Sequence, residues 1–410
     1  MFFQYSCLAL ICTLPLTSFA TNSVLTLEPK ITDEVALRAA VEQQVLPLMQ
    51  QQQLPGMAVA VLWQGKSYLY SFGLADQTKA IKVTADTLFE VGSISKTFAG
   101  VIGAMALARG DIHLTDPVNK HWPALTNPQW QSINLQHLAT YSVGGLPLQL
   151  PPAVTDHESL LAYYQQWQPT FAPGQQRVYA NSSIGLFAHL AAKAGGHTYA
   201  EAFHQLTTTL GLQQTYLQVP AAAESQYAWG YQEGKPVRIG RGVLLDEAGG
   251  VKASVRDLAA WLQAHLQAHQ QLLLPKHPTT HLAATQTKTA MPEALLQAGL
   301  IGAQQGYAKA GQIYQGLGWE MLDYPVTLSS LTAMTDPAFV AGRATSMIYP
   351  PKVINPSSWV HKTGATSGFG AYAAFIPSRQ VGIVILANQR YPNALRVKLA
   401  YQILENLRSN

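Results

Sequence analysis

Two stretches near opposite ends of the chain share one form, and that shared form narrows the possible folds more than any other feature. "GMAVAVLWQGKSYLYSFGLA" (residues 56–75) and "GAYAAFIPSRQVGIVILANQ" (370–389) are each a pair of β-rich apolar runs. A turn parts them, at Gln64-Gly65 in the first and Pro377-Ser378 in the second. Each reads as a β-hairpin, and each has a helix beside it. Residues 33–53 open with acids and then set Val35, Leu37, Val41, Val45, Leu46 and Met49 at helical spacing. Pro392 opens a second helix over about 393–408. The economical arrangement is one antiparallel β-sheet built from both chain ends and flanked by helices, an α/β fold of the α+β type.

A chain of 410 residues exceeds the size at which one core usually divides, so two lobes are expected. The stretch from 107 to 230 is rich in helical patterns such as "SSIGLFAHLAAKAGG" (182–196), closed by paired glycines. It reads as a mainly helical lobe inserted into a sheet lobe made of residues 21–106 and 231–410. Residues 268–300 are rich in Gln, Thr and Ala with three prolines and read as a surface excursion. His265 and His269 stand four apart in or beside it, with His277 and His281 further on. The first pair has a spacing that zinc could use, but no carboxylate shares the pattern. It reads as a solvated helix face, and no metal is expected.

Apolar residues make up 48% of the chain and charged residues only 12%, yet no apolar run after residue 20 is long enough to cross a bilayer. The net charge of +4 is scattered, which argues against a nucleic-acid surface. The first 20 residues, "MFFQYSCLALICTLPLTSFA", end in Ser18-Phe19-Ala20, small at both positions that a signal peptidase reads. They are expected to be a cleaved export signal, although no Lys or Arg precedes the apolar run. Cys7 and Cys12 both lie inside it, and neither follows the Gly or Ala of a lipoprotein signal. The exported chain would then have no thiol, no disulfide and no Cys-ligated metal. The expectation is a monomeric periplasmic protein without cofactor or stable membrane insertion.

Chemistry enters at "VGSISKTFAG" (91–100), where Ser93 stands three residues before Lys96. Ser-x-x-Lys is a common tetrapeptide, but the longer stretch "TADTLFEVGSISKTFAGVIGAMALARG" runs apolar at helical spacing after Gly92, which puts Ser93 at a helix start. A serine there serves most often as an N-cap. The same geometry brings the Lys96 amine beside the Ser93 oxygen, since residues i and i+3 share a face, and a helix N-terminus favours negative charge on that oxygen. Ser95 points elsewhere. Two more short elements follow, Tyr179-Ala180-Asn181 in "RVYANSS" and Lys362-Thr363-Gly364 in "WVHKTGATSGFGAYAAF". The latter lies in a β-rich run just ahead of the terminal hairpin, where an edge strand could face the start of the Ser93 helix. Gly364, Gly368 and Gly370 would let a substrate backbone come close.

With Ser-x-x-Lys, Tyr-x-Asn and Lys-Thr-Gly in this order, the chain resembles the class C serine β-lactamases (cephalosporinases) of the penicillin-recognising serine enzymes. "LPGMAVAVL", "HLATYSVGGLPLQLP", "YQGLGWEMLDYP" and "GIVILANQRYPNALRV" look similar too, so the resemblance runs from about residue 30 to 407. It implies a β-lactamase/transpeptidase-like fold and β-lactam antibiotics as small-molecule substrates. By resemblance Ser93 is the acylated nucleophile, Lys96 and Tyr179 handle the proton, and Lys362 is the cation across the cleft. The backbone N–H groups of Ser93 and Ala365 would form the oxyanion hole. Gln149 and Asn181 would hold the substrate's side-chain amide, and Thr363, Gly364, Asn393 and Arg396 would lie near its carboxylate. Either Tyr179 or Lys96 could act as base, because ammonium groups near a phenol favour phenolate while lowering one another's pKa. One departure stands out: the family usually carries a tyrosine in a segment like "AEAYGVK", where this chain has Gly249 in "LDEAGGVK". Losing that wall would open the pocket. No Gly-x-Ser-x-Gly and no His-Glu-x-x-His occurs, which argues against an α/β-hydrolase and a zinc peptidase. A DD-peptidase or esterase of the same fold is the nearest alternative, and a non-catalytic penicillin sensor a more distant one.

Overall fold

The computed structural model describes residues 30–273 and 291–408. Among them, ten strands form one antiparallel sheet: β1 (Gly56–Trp63), β2 (Lys66–Asp76), β3 (Ile81–Lys82), β4 (Gly306–Ala310), β5 (Ile313–Gln315), β6 (Glu320–Leu322), β7 (Ser346–Lys352), β8 (Trp359–Ala365), β9 (Gly370–Ile376) and β10 (Val381–Ala387). Their order is β7-β4-β5-β6-β8-β9-β10-β1-β2-β3. The first and last hairpins meet at the seam between β1 and β10, where Val59 pairs with Ile385. Both turns fall where the sequence puts them.

The unbroken apolar run of β1 follows from burial on both faces. Side chains of a strand alternate between faces. Ala58, Ala60 and Leu62 join one core with Phe98 and Trp261. Met57, Val59, Val61 and Trp63 join another with Leu37, Val41, Val397 and Leu404. A strand covered on both sides has no solvent face to mark with polar residues. The covering helices are α1 (Glu34–Gln52), α2 (Ser95–Arg109), α3 (Asn181–Ala194), α4 (Leu245–Ala248), α5 (Val255–Leu273), α6 (Glu293–Gly302) and α7 (Asn393–Asn406). α1 and α7 lie on one face. α2 and α5 lie on the other, with α3 and α6 packed on α2. Residues Ser95–Ala106 of α2 are all buried, so this helix has no solvent face either, until Gly110 caps it in the left-handed conformation.

Three readings need correction. In α1 only Leu37, Val41 and Val45 are buried, an i, i+4 stripe, while Val35 and Leu46 are exposed. His265 and His269 are buried, not solvated, and both bond to the side-chain amide of Gln304. The stretch 268–300 is not a surface excursion at either end: Ala268, Met291 and Leu300 are buried, and α6 packs against α2. His277 and His281 lie outside the described residues, as do the expected export signal and its two cysteines.

Candidate active site

The site forms where the start of α2 meets β8. A 3-10 turn, Gly92–Ile94, precedes α2 and carries Ser93. Gly92 adopts φ +52°, and a Cβ there would stand 2.5 Å from the backbone nitrogen of Ala365. A Cβ on Gly364 would stand 2.0 Å from the carbonyl oxygen of Val91. Both positions therefore need glycine, one for its backbone angle and both for close approach. The result sets the backbones of Ser93 and Ala365 side by side. β8 is an interior strand, not an edge. Its pairing with β6, however, stops at His361, and from Lys362 onward only β9 pairs with it among the described residues. Lys362–Ala365 is thus a free edge inside the sheet, and it lines a cavity of ≈ 270 Å³ with Ser93.

Within that cavity the Lys96 ammonium donates to Ser93 Oγ at 2.9 Å, to Asn181 Oδ1 at 2.7 Å and to the carbonyl of Ala248, the last residue of α4, at 2.5 Å. Asn181 in turn donates to Gln149 Oε1 at 3.0 Å. The Tyr179 ring lies between two cations, with Lys96 Nζ 5.1 Å and Lys362 Nζ 5.0 Å from its centre. Its hydroxyl is buried and completes no hydrogen bond of good geometry among the described residues, while Ser93, Lys96 and Lys362 all lie near enough to act on it. Burial alone would raise this phenol, but the Lys362 and Lys96 ammonium groups outweigh it and bring it down to about 8. Lys96 itself is held below its ordinary value by burial, with Lys362 adding to the effect.

Two residues that the motifs did not single out complete the electrostatics. Glu320, on β6, accepts from Arg177 at 2.6 Å and lies 3.5 Å from Lys362. Burial would make its carboxyl harder to ionise, yet Lys362 and Arg177 together hold it below the usual range. Lys362 gains correspondingly: burial works against its charge, and Glu320 and Tyr179 overcome that to raise it. Arg177 is buried too, under the rings of Tyr141, Tyr179 and Phe339 at 5.1–5.4 Å. The clue was present in "GLGWEMLDYP", where Glu320 interrupts an apolar run, and in the arginine two residues before Tyr179.

Of the other residues singled out, Gln149, Asn181, Thr363, Gly364, Ala365 and Asn393 line the cavity. Asn393 is the first helical residue after Pro392, and its Oδ1 has no partner among the described residues, so it does not cap the helix. Arg396 does not line this cavity. It is buried and committed to the carbonyls of Gly364, Ala371 and Tyr391, which makes it a prop behind β8. Gly368 and Gly370 make room for Val237 and Arg396, so neither is kept for a substrate backbone. Ser95 is buried, donates to the Gly92 carbonyl at 2.7 Å and accepts from Val251 N–H at 3.0 Å, a role that shapes the turn under Ser93. A Cβ on Gly249 would meet only Leu245 Cδ1, at 3.7 Å, so the wall beside Ala248 is open. A further cavity of ≈ 190 Å³, lined by Gln149, Asn181 and Ala248 among others, lies on that side.

A family model described as Beta-lactamase matches residues 41–408. A protein named Beta-lactamase from Escherichia coli (strain K12) is 48% identical over 369 residues, 90% of this chain and 93% of that relative. One of the same name from Yersinia enterocolitica is 42% identical over 402 residues, 98% and 99% of the two chains. A third, from Pseudomonas fluorescens, is 40% identical over 379 residues, 90% and 98% of the two chains.

Proposed function

The chain belongs to the β-lactamase family, and from that premise we propose that it is a class C enzyme that hydrolyses cephalosporins and penicillins through an acyl-enzyme on Ser93. The observation that carries the reading is the meeting of Lys96 and Lys362 over one phenol ring, beside the Ser93 oxygen.

Ser93 Oγ attacks the lactam carbonyl carbon and gives its proton to the base, the Tyr179 phenolate or the Lys96 amine. At pH 7 a phenol brought to about 8 is about one-tenth ionised, against about a thousandth for an ordinary one. Lowered burial-shifted Lys96 keeps the second route open. The carbonyl oxygen becomes anionic between the N–H groups of Ser93 and Ala365. Collapse breaks the C–N bond, and the ring nitrogen takes the proton from the base. A water then attacks the ester carbon, loses its proton to the same base, and Ser93 leaves with that proton restored. Asn181 and Gln149 would hold the side-chain amide, with Thr363, Gly364 and Asn393 on the carboxylate side. The open wall at Gly249 favours bulky substrate side chains.

The same proposal includes export to the periplasm with removal of the first 20 residues. It also includes a monomeric state and a helical lobe at 107–230 inserted into the sheet lobe. Labelling with a fluorescent penicillin tests the centre of it: Ser93→Ala should abolish the label and Ser95→Ala should keep it. Retained label in the first variant would remove Ser93 as nucleophile. Nitrocefin turnover that stops at one equivalent per enzyme would favour the DD-peptidase instead.

A further inference from the structure

A second cavity beside α4, of ≈ 320 Å³, shares no lining residue with the Ser93 cavity. Its wall holds His157, at the start of the helix His157–Gln166, His189 of α3, Glu247 of α4, and Tyr199. The two imidazoles stand at 89° with their centres 4.7 Å apart, and neither makes a side-chain hydrogen bond among the described residues. Glu247 is buried, yet its carboxylate makes no hydrogen bond there either; its ion-pair partner is His189, with Nδ1 3.6 Å from Oε1. Tyr199 is 4% exposed, and its hydroxyl has no partner among the described residues. Buried polar groups are nearly always satisfied, so this many open ones around one cavity call for a ligand.

The donor types select its class. Imidazole with carboxylate suits zinc, nickel and copper ions. Tetrahedral ligands on bonds of about 2.0–2.2 Å stand about 3.3–3.6 Å from one another, which is the spacing of His189 Nδ1 and Glu247 Oε1 and is too long for a hydrogen bond. No three His, Cys, Asp or Glu side chains among the described residues are already gathered as a metal would hold them, so His157, which is exposed, has to turn to complete the set. The wall carries two carboxylates, Glu247 and Asp246, and no lysine or arginine among the described residues, so it favours a cation. Lys193 acts on His157 from outside the wall and is exposed, free to turn away. We propose that His157, His189 and Glu247 bind a divalent transition-metal ion of the zinc class, with a water held by the Tyr199 hydroxyl in the fourth position, and that this ion braces α4. The helix needs a brace: it is four residues long, has no side-chain cap and is entered through Leu244 at φ +57°. Its last carbonyl, on Ala248 next to Glu247, accepts from the Lys96 ammonium. The ion ties this support of Lys96 to α3.

Zinc titrated into the full-length protein against a chromophoric chelator tests the site without reference to activity. The native protein should take up one ion. His157→Gln, His189→Gln and Glu247→Gln should each weaken uptake by at least about tenfold, the lower end of what even an indirect partner of a metal contributes. His113→Gln, at an exposed histidine elsewhere, should leave it unchanged. If Glu247→Gln does not fold, the half-buried His189 carries the test alone. Amide hydrogen exchange reads the brace: with zinc at about ten times its Kd, exchange at residues 245–251 should slow about tenfold in the native protein and not in His189→Gln, because an opening that breaks the site must release the ion. Failure to take up zinc, or uptake that survives His189→Gln, would overturn the site; uptake without slower exchange would overturn the brace.

Discussion

Two buried polar clusters touch α2, and they treat charge in opposite ways. On the cleft side, Lys96, Lys362, Glu320 and Arg177 are buried and Tyr179 is half-buried, yet Glu320 and Lys362 keep their charges because each is compensated. On the other side, Trp261 stacks on Phe98 of α2 and meets the edge of His265, which is also packed by Phe375 and Trp319. Gln304 donates to His265 Nδ1 at 2.8 Å and accepts from His269 Nε2 at 2.9 Å. Burial pushes His265 down to about 3, so the ring is neutral. Similar depth, then, yields a reactive centre in one case and inert packing in the other. Burial does not mark a site; retained and mutually dependent charge does.

Glu320→Gln strikes the first cluster where it is most dependent. It leaves Arg177 and Lys362 buried without an anion, and loss of one partner from a buried ion pair costs about 3–5 kcal/mol. Because Glu320 is what raises Lys362, the variant should also lose about a hundredfold in kcat/KM for nitrocefin, the scale of proton-transfer catalysis. Urea unfolding and steady-state kinetics read the two effects, and Glu320→Asp should recover part of both. A Gln variant as stable and as active as the native protein would show that the cleft charges do not depend on one another.

Acid should separate the clusters by pH. His265 binds a proton near 6.5 when unfolded and only at about 3 when folded, so between these values the unfolded state holds more protons. Stability is full above about 6.5 and falls as pH drops, by about 1.4 kcal/mol per unit for this one ring. Glu320 has the opposite chemistry and a lower window: its stabilisation is present above its unfolded value near 4.5 and goes only as the pH falls through its lowered folded value. Urea unfolding between about pH 5 and 6 therefore reports histidines alone of these two. His137 and His361, each brought by burial to about 4, add to the native slope. His265→Gln should remove about one proton from it; an unchanged slope would mean that His265 is not held neutral.

The two clusters were unequally legible in the sequence. Ser93 and Lys96 could be paired because their spacing is local, and Tyr179 and Lys362 because the family order of motifs links distant stretches. Both hairpins were legible because a turn between apolar runs is also local. Glu320 and Arg177 were not, since their meaning depends on β6 stopping at His361 and bringing a carboxylate under Lys362, a contact across 42 residues that no periodicity encodes. His265 and His269 misled for a related reason. Their i, i+4 spacing identifies a helix face, but whether water or Gln304 meets that face is decided by α6, which follows 17 undescribed residues later. Arg396 shows what a motif leaves out: its two terminal nitrogens donate to backbone carbonyls, a bracing of β8 that no spacing encodes.

Thr97 follows Lys96 in the chain and bonds to the neutral cluster, so it offers the finest test of their independence. Its hydroxyl donates to the Ile94 carbonyl at 2.8 Å, one turn below the Ser93 segment, and accepts from Trp261 Nε1 at 3.1 Å, beside His265. Thr97→Val keeps the shape and leaves the buried indole N–H without an acceptor, at a cost of about 1–2 kcal/mol. No charge on the cleft side changes, so the acid limb of kcat/KM, set near 8 if Tyr179 is the base, should stay where it is while the unfolding midpoint falls. A limb that moves with this substitution would mean that the neutral cluster helps to set the charged one, and the contrast between them would then describe a single coupled unit.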